Sequence, residues 1–69
     1  MIKFAIGDEE YIEMMKLLKA TGLCSTGGEA GIMILHGEVK YNGTVDIRKR
    51  LKVRKGDKVE YNGETIIVE

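Results

Sequence analysis

The chain has 69 residues, of which 43% are hydrophobic and 32% charged, a composition typical of a folded globular protein. A chain of this length has room for one thin hydrophobic core, so we expect residues 1–69 to form a single domain. Its single cysteine excludes an intrachain disulfide, and no stretch approaches the roughly 20 apolar residues of a transmembrane helix. We therefore expect a cytoplasmic protein that does not bind membranes.

The formal net charge is zero, but the charges are segregated along the chain. From Lys40 to Lys58 there are eight Lys or Arg residues and two Asp residues, a net charge of +6, and the rest of the chain carries −6. Such a separation gives a neutral protein one basic surface. A basic surface of this kind is the electrostatic signature of a protein that binds a polyanion.

The first part of the sequence predicts a strand followed by a helix. Apolar residues alternate with others over residues 2–6, as in a short, half-buried strand that ends at Gly7. Asp8 then suits the N-cap position of a helix that ends at Gly22. The apolar face of this helix has the i, i+3, i+4, i+7 spacing and consists of Tyr11, Met14, Met15 and Leu18.

The next segment predicts a second helix. Thr26 and Glu29 have the T-x-x-E spacing of a capping box ahead of an apolar run over residues 32–35. By periodicity alone this run could be a buried strand, but the cap before it and His36-Gly37 after it favour a helix.

From Val39 onward the apolar period changes to two, which predicts strands. Asn42-Gly43 and Asn62-Gly63 are hairpin signals, and Lys55-Gly56-Asp57 is a further turn signal between them. The predicted fold class is therefore α+β, with an N-terminal strand and two helices packed on a small antiparallel β-sheet.

One candidate phosphate-binding feature lies in residues 46–54. Its cations Arg48, Arg50, Lys52 and Arg54 occupy alternate positions. In an extended chain they would point to one face about 6.6 to 7 Å apart, close to the step between successive phosphates of a nucleic acid. Lys49 interrupts the pattern and indicates a loop or bulge. A charged edge strand that prevents aggregation would show the same alternation, so the pattern alone leaves both interpretations open.

The start of the second helix is another candidate. Thr26-Gly27-Gly28 offers unpaired backbone N–H groups and the positive end of the helix dipole, with no large side chain to keep a phosphate away. An ordinary helix cap with a tight entry turn would use the same residues.

Five short motifs follow one another with characteristic spacing. They are Leu17-Leu18-Lys19-x-x-Gly22-Leu23, Ser25-x-Gly27-Gly28-Glu29-Ala30, Ile34-x-x-Gly37-x-Val39-x-x-Asn42-Gly43, Arg48-x-x-Leu51 and Gly56-Asp57-x-Val59. Together they resemble the S-four RNA-binding domain, whose core of two helices and a hairpin is called the alpha-L motif. The resemblance covers residues 17–59 and is greatest to small stand-alone bacterial proteins of the YaaA/YbcJ type.

This resemblance implies binding of structured RNA, ribosomal or transfer RNA, through the second helix and the basic hairpin segment. It points to Ser25, Gly27, Gly28, Lys40, Asn42, Arg48, Arg50 and Lys52. The helix start and the charge pattern add Thr26, Lys49, Arg54 and Lys55 to the candidate RNA-binding residues. One position departs from the family pattern, because Gly31 stands where a Lys or Arg is common, and the second helix thereby lacks a cation.

No combination of residues predicts catalysis, a metal site or a cofactor. Cys24 could be a nucleophile and His36 its base, but no motif around either residue organises such a pair, so we expect a buried thiol and a helix-terminal imidazole. One Cys and one His cannot supply a structural zinc site. The main alternative to RNA binding is an adaptor that uses the same basic face to bind an acidic protein, ribosomal or other. In either case we expect a monomer.

Overall fold

The computed structural model describes all 69 residues and contains two helices and seven short strands. The helices are α1 (Met14–Ala20) and α2 (Gly27–Leu35). The strands are β1 (Ile2–Phe4), β2 (Ile12–Glu13), β3 (Val39–Tyr41), β4 (Thr44–Val45), β5 (Lys52–Val53), β6 (Lys58–Tyr61) and β7 (Glu64–Val68). Neither helix is long and apolar enough to cross a membrane.

Five strands form one mixed sheet in the order β1-β7-β6-β3-β4. The pairs β3–β4, β3–β6 and β6–β7 are antiparallel, whereas β1 lies parallel to β7 with Ile2 opposite Ile66. Strands β2 and β5 form a separate antiparallel pair. The predicted α+β class with two helices on a small sheet is confirmed. The parallel addition of β1 is a long-range feature that makes the sheet mixed.

The hydrophobic core joins both helices to one face of the sheet. Its twelve buried residues are Ile6, Met14, Leu17, Leu18, Cys24, Ala30, Ile34, Val39, Val53, Val59, Ile66 and Val68. The strand alternation is visible in β6, where Val59 is buried and Lys58 is exposed. Cys24 is a free, buried thiol, as expected, and burial raises its pKa. This thin core holds the elements that position the basic segment.

The prediction for the start of the first helix is wrong. Asp8 lies in a turn and caps nothing, and the helix begins six residues later at Met14. The intervening Ile12–Glu13 is β2, because it pairs with β5 across the chain. The backbone N–H groups of Met14 and Met15 then donate to the carbonyls of Leu51 and Lys49, at 2.9 and 3.1 Å. Carbonyls distant in sequence thus replace the predicted side-chain cap.

The second helix agrees with its prediction. The Oγ1 of Thr26 accepts a hydrogen bond from the Glu29 backbone N–H at 3.0 Å. In return, Oε1 of Glu29 accepts one from the Ser25 backbone N–H at 3.4 Å, one residue earlier than in the standard capping box. The helix continues through Leu35, so the apolar run over residues 32–35 is helical and not a strand.

Both Asn-Gly pairs form the predicted hairpin tips. Asn42 and Gly43 have φ values of 49° and 90° between β3 and β4, and Asn62 and Gly63 have values of 52° and 78° between β6 and β7. Two consecutive positive φ values are the signature of the type I′ turn, whose twist matches that of the strands it joins.

Candidate nucleic-acid interface

Most cations of the basic segment lie on residues 46–55, which we call the cationic loop. Only Lys52 and Val53 in it form a strand, and residues 46–51 are irregular with a turn at Lys49 and Arg50. The predicted extended course is therefore wrong for residues 46–51, although the interruption expected at Lys49 is present. The Asp46 N–H still donates to the Val39 carbonyl of β3, but the carbonyls of Lys49 and Leu51 accept the first N–H groups of α1, which draws this part of the loop away from the sheet.

The first cation of the cationic loop is held by the first residue of the loop. Arg48 donates to both carboxylate oxygens of Asp46, and the shortest contact, from Nη2 to Oδ2, is 2.7 Å. Its backbone N–H also donates to Oδ1 at 3.0 Å, which closes a local turn. These bonds lower the pKa of Asp46 below its ordinary value and raise that of Arg48. The guanidinium is thereby oriented but partly neutralised.

Two cations near the end of the cationic loop share one aromatic ring. The Nζ of Lys52 lies 5.0 Å from the centre of the Tyr11 ring, and Cζ of Arg54 lies 5.6 Å from it. Both side chains leave the chain on the side opposite Val53, which is buried between them. The ring precedes β2, whose pairing with β5 brings it under the two cations. The alternation predicted by the sequence therefore holds for this pair.

Asp57 ties the end of the cationic loop to the β3–β4 hairpin. Its carboxylate accepts hydrogen bonds from the Tyr41 hydroxyl at 2.7 Å, the Asn42 amide at 3.2 Å and the Arg54 backbone N–H at 2.8 Å. Burial alone would raise the pKa of Asp57, but these three donors and the positive charge of Arg54 hold it below its ordinary value. The same hydroxyl bond raises the pKa of Tyr41.

The Asn42 side chain joins the β3–β4 hairpin to residues 57 and 58 by two hydrogen bonds. While its amide nitrogen donates to Asp57, its Oδ1 accepts from the Lys58 backbone N–H at 2.8 Å. Its own backbone N–H donates to the Lys58 carbonyl at 2.8 Å. The side chain predicted to contact RNA therefore already has partners for both ends of its carboxamide.

The glycine-rich start of α2 comes close to the cationic loop. Gly27 and Gly28 line a shallow groove of about 250 Å³ together with Lys49 of the loop. Ser25 and Thr26 precede this groove and are both engaged in the helix cap. The two candidate features that the sequence places 20 residues apart thus share one surface.

The remaining candidate cations differ in their surroundings. Arg50 and Lys55 are exposed, and neither forms an ion pair. Lys40 lies on β3 directly opposite Glu60, in a groove that Glu38 and Glu64 also line. The structure therefore places Lys40 among carboxylates on the sheet, whereas the other basic candidates belong to the cationic loop.

Tyr11 and Asp57 lie at this surface, although the sequence predicts no role for either of them there. The apolar spacing predicts Tyr11 on the buried face of the first helix, and only the β2–β5 pairing shows its actual position. For Asp57 a signal was present, because an Asp after Gly in a turn commonly accepts backbone hydrogen bonds. Its bond to Tyr41, 16 residues away, was not accessible from the local pattern.

Comparison with known proteins assigns this architecture to a family. A family model described as the S4 domain matches residues 4–69, nearly the whole chain. The chain belongs to the S4 domain family. The resemblance seen in the motifs over residues 17–59 is confirmed and extends in both directions.

Two curated relatives of this S4 domain are similar over almost their full length. YbcJ of Escherichia coli (strain K12), provisionally named as an RNA-binding protein, is 37% identical over 68 residues, which cover 99% of this chain and 97% of the relative. The protein named YbcJ in Shigella flexneri, whose function is uncharacterised, gives the same values.

A solved structure has the same fold. The solution structure of YbcJ from E. coli superposes with a TM-score of 0.76 at 37% identity, covering 99% of this chain and 86% of the other. That structure is described as containing an alpha-L motif involved in RNA binding. The two helices and hairpin of this S4 domain are the counterparts of that motif.

Proposed function

We propose that this S4 domain binds structured RNA, of the ribosomal or transfer class, through the cationic loop and the start of α2. The observation that carries the proposal is the density of cations on the loop, with six Lys or Arg residues between positions 46 and 55 against one Asp. These six are Arg48, Lys49, Arg50, Lys52, Arg54 and Lys55. Phosphate contacts supply much of the affinity of nucleic-acid-binding proteins, and Lys and Arg make them.

The loop is suited to this use because its backbone is fixed before any ligand binds. Its middle is bonded to the first N–H groups of α1, and its end is bonded to Asp57. A fixed loop loses little conformational entropy on binding, which favours affinity. The descriptions of the E. coli relative and its structure, which name RNA without a class, support an RNA ligand.

The experiment that tests the proposal is a charge reversal of Arg50, which is exposed and has no ion pair. Binding of labelled transfer RNA and of a labelled ribosomal RNA hairpin is measured across a range of about 50 to 300 mM salt. Each phosphate contact contributes about −0.7 to the slope of log affinity against log salt for single strands, so about four contacts would give a slope near −3. Arg50→Glu is expected to flatten this slope by about 0.7 or more and to weaken binding at least about fourfold at about 0.15 M salt.

Lys16→Glu is the matched control. It makes the same change in net charge on α1, outside the cationic loop, where Lys16 pairs with Glu13 at 3.6 Å. It should weaken RNA binding much less. Equal losses for the two reversals would mean that attraction depends on total charge, and the assignment of the interface to the cationic loop would be wrong.

A second candidate function is an adaptor for an acidic protein, and one observation favours it. Several aliphatic side chains at the edge of the cationic loop are exposed, among them Val45 and Ile47 at 49% and 56%, although the alternation assigns both to the buried side. Exposed apolar side chains beside charged ones are common in protein interfaces. Unlabelled RNA should displace labelled RNA from the loop but should leave a protein partner with its own epitope bound.

We further propose that the protein acts as a monomer in the cytoplasm and needs no cofactor. The free thiol of Cys24 supports a reducing compartment, since it is buried and has no cysteine to pair with. Sedimentation equilibrium at micromolar concentration tests the monomer, and a dimer mass would contradict it.

A further inference from the structure

The side chain of Lys49 crosses helix α2 at Gly31, the one glycine of the helix that lies beyond its first turn. Gly31 is buried although it has no side chain of its own. A Cβ atom at this position would lie 3.0 Å from Cδ and 3.8 Å from Cγ of Lys49, and no other atom outside the helix's own backbone and the neighbouring residues would lie within 4 Å of it. The aliphatic stem of Lys49 therefore covers the helix where a side chain is missing.

This crossing follows from the course of the chain before it. At the end of α2, a Cβ on Gly37 would lie 3.6 Å from Cγ1 of Val45, and six residues earlier Gly31 lies under Lys49. Residues 45–49 therefore run along α2 in the opposite direction. The Lys49 carbonyl accepts the N–H of Met15 at 3.1 Å, which fixes the backbone from which the side chain departs.

The position of the Lys49 stem brings a cationic side chain close to α2. The stem of Lys49 lies in the groove that Gly27 and Gly28 also line, so its Cγ and Cδ lie against α2 while the residue stays exposed to a ligand. Helix α2 itself contains no Lys or Arg. Lys49 thus brings a cationic side chain beside a helix that carries none of its own.

We propose that Gly31 is a positioning residue for RNA binding, because its missing side chain leaves the channel in which Lys49 lies across α2. Lys49 thereby joins the cationic loop and the start of α2 into one surface. This inference rests on the proposed RNA binding and deepens it, since it names the residue that orients one of the contacts.

The test is a double-mutant cycle of Gly31→Ala and Lys49→Ala, measured with labelled transfer RNA at about 0.15 M salt. Lys49→Ala should weaken binding about fourfold, the value expected for one phosphate contact. Gly31→Ala leaves every charge in place but displaces the stem, and it should weaken binding about two- to fourfold. Because both changes act on one contact, the double variant should bind no more weakly than Lys49→Ala alone.

The expected loss of RNA affinity in Gly31→Ala would not come from a less stable fold. Replacing an interior helical Gly by Ala favours the helix, so Gly31→Ala should raise Tm by roughly 2 to 8 °C while RNA binding falls. A nuclear Overhauser effect between Hα of Gly31 and the Hδ protons of Lys49 should be present in the free wild-type protein. It should be lost in Lys49→Ala.

Three results would overturn the inference. If the two losses multiply to about 8- to 16-fold, the methyl group added by Gly31→Ala hinders RNA by itself and not through Lys49. If Gly31→Ala binds as tightly as the wild type, or the Overhauser effect is absent, the stem is not held on α2. These results leave the proposed function standing, whereas a wild-type protein that binds no RNA overturns both proposals.

Discussion

Replacement of Asp57 by Ala is expected to be the most destabilising single change at this surface. The variant loses three hydrogen bonds to a carboxylate, from the Tyr41 hydroxyl, the Asn42 amide and the Arg54 backbone N–H. A hydrogen bond to a charged group contributes about 1.5 to 3 kcal/mol when buried. Asn42 and Arg54 are exposed, so water can replace part of the loss, and we expect a total cost of about 2 to 3 kcal/mol.

That cost is large for a chain of this length, whose total free energy of unfolding should be about 3 to 10 kcal/mol. Urea denaturation at neutral pH measures it, with Asp46→Ala as the matched control. Asp46 is an aspartate at the other end of the cationic loop with a lowered pKa, but its side chain bonds to Arg48 only, and the Arg48 side chain is 66% exposed. The control should cost about 1 kcal/mol or less. Equal destabilisation by the two variants would refute the structural role of Asp57.

The pH dependence supplies a second check on Asp57. Because its pKa is lower in the folded protein than in the unfolded chain, the carboxylate stabilises the fold fully above the unfolded pKa of about 3.9. This contribution is lost as the pH falls through the lower pKa of the folded protein. The difference in unfolding free energy between wild type and Asp57→Ala should therefore narrow below about pH 4. A difference that stays constant down to about pH 2 would mean that the charge of Asp57 plays no part.

Two further predictions concern Tyr11 and Cys24. Tyr11→Ala should lower the unfolding free energy, measured by urea denaturation, by about 1 kcal/mol, because the ring no longer holds the cations of Lys52 and Arg54. Tyr11→Phe keeps the ring and should cost little. Equal losses of unfolding free energy in the two variants would show that the ring faces do not contribute. Cys24→Ser should lower the unfolding free energy by at most about 1 to 2 kcal/mol and leave RNA affinity unchanged, since the thiol is buried in the core. Weaker RNA binding by a normally folded variant would contradict this placement.

The elements that the sequence predicts correctly are those whose cause is local. Thr26 caps α2 through an N–H three residues away, and Asn42-Gly43 turns the chain by its own backbone preference. The start of α1 was predicted wrongly because its cause is distant. Ile12 pairs with Val53, 41 residues later, and no periodicity near Ile12 carries that information.

The candidate interface shows the same division between local and distant causes. The charge count places the cations on one segment, but the direction of each side chain depends on a partner. Arg48 turns back to Asp46, while Lys52 and Arg54 lie over Tyr11. In the sequence, Gly31 indicates only the loss of a cation from α2, because the sequence cannot show that Lys49 crosses the helix at this glycine.

The structure also bears on the alternative explanation of the alternating charges. A charged edge strand would need a continuous strand with one unpaired side across residues 46–54. The only strand there is Lys52–Val53, which pairs with β2 on one side, so any open strand edge is confined to these two residues. Residues 46–51 present no regular edge to which another chain could add. The cations at positions 48–50 therefore do not serve to keep an edge strand from pairing with another chain. Like charges this close repel one another, and Asp46 and the N–H groups of α1 hold them in place, so the proposed RNA ligand would relieve this repulsion.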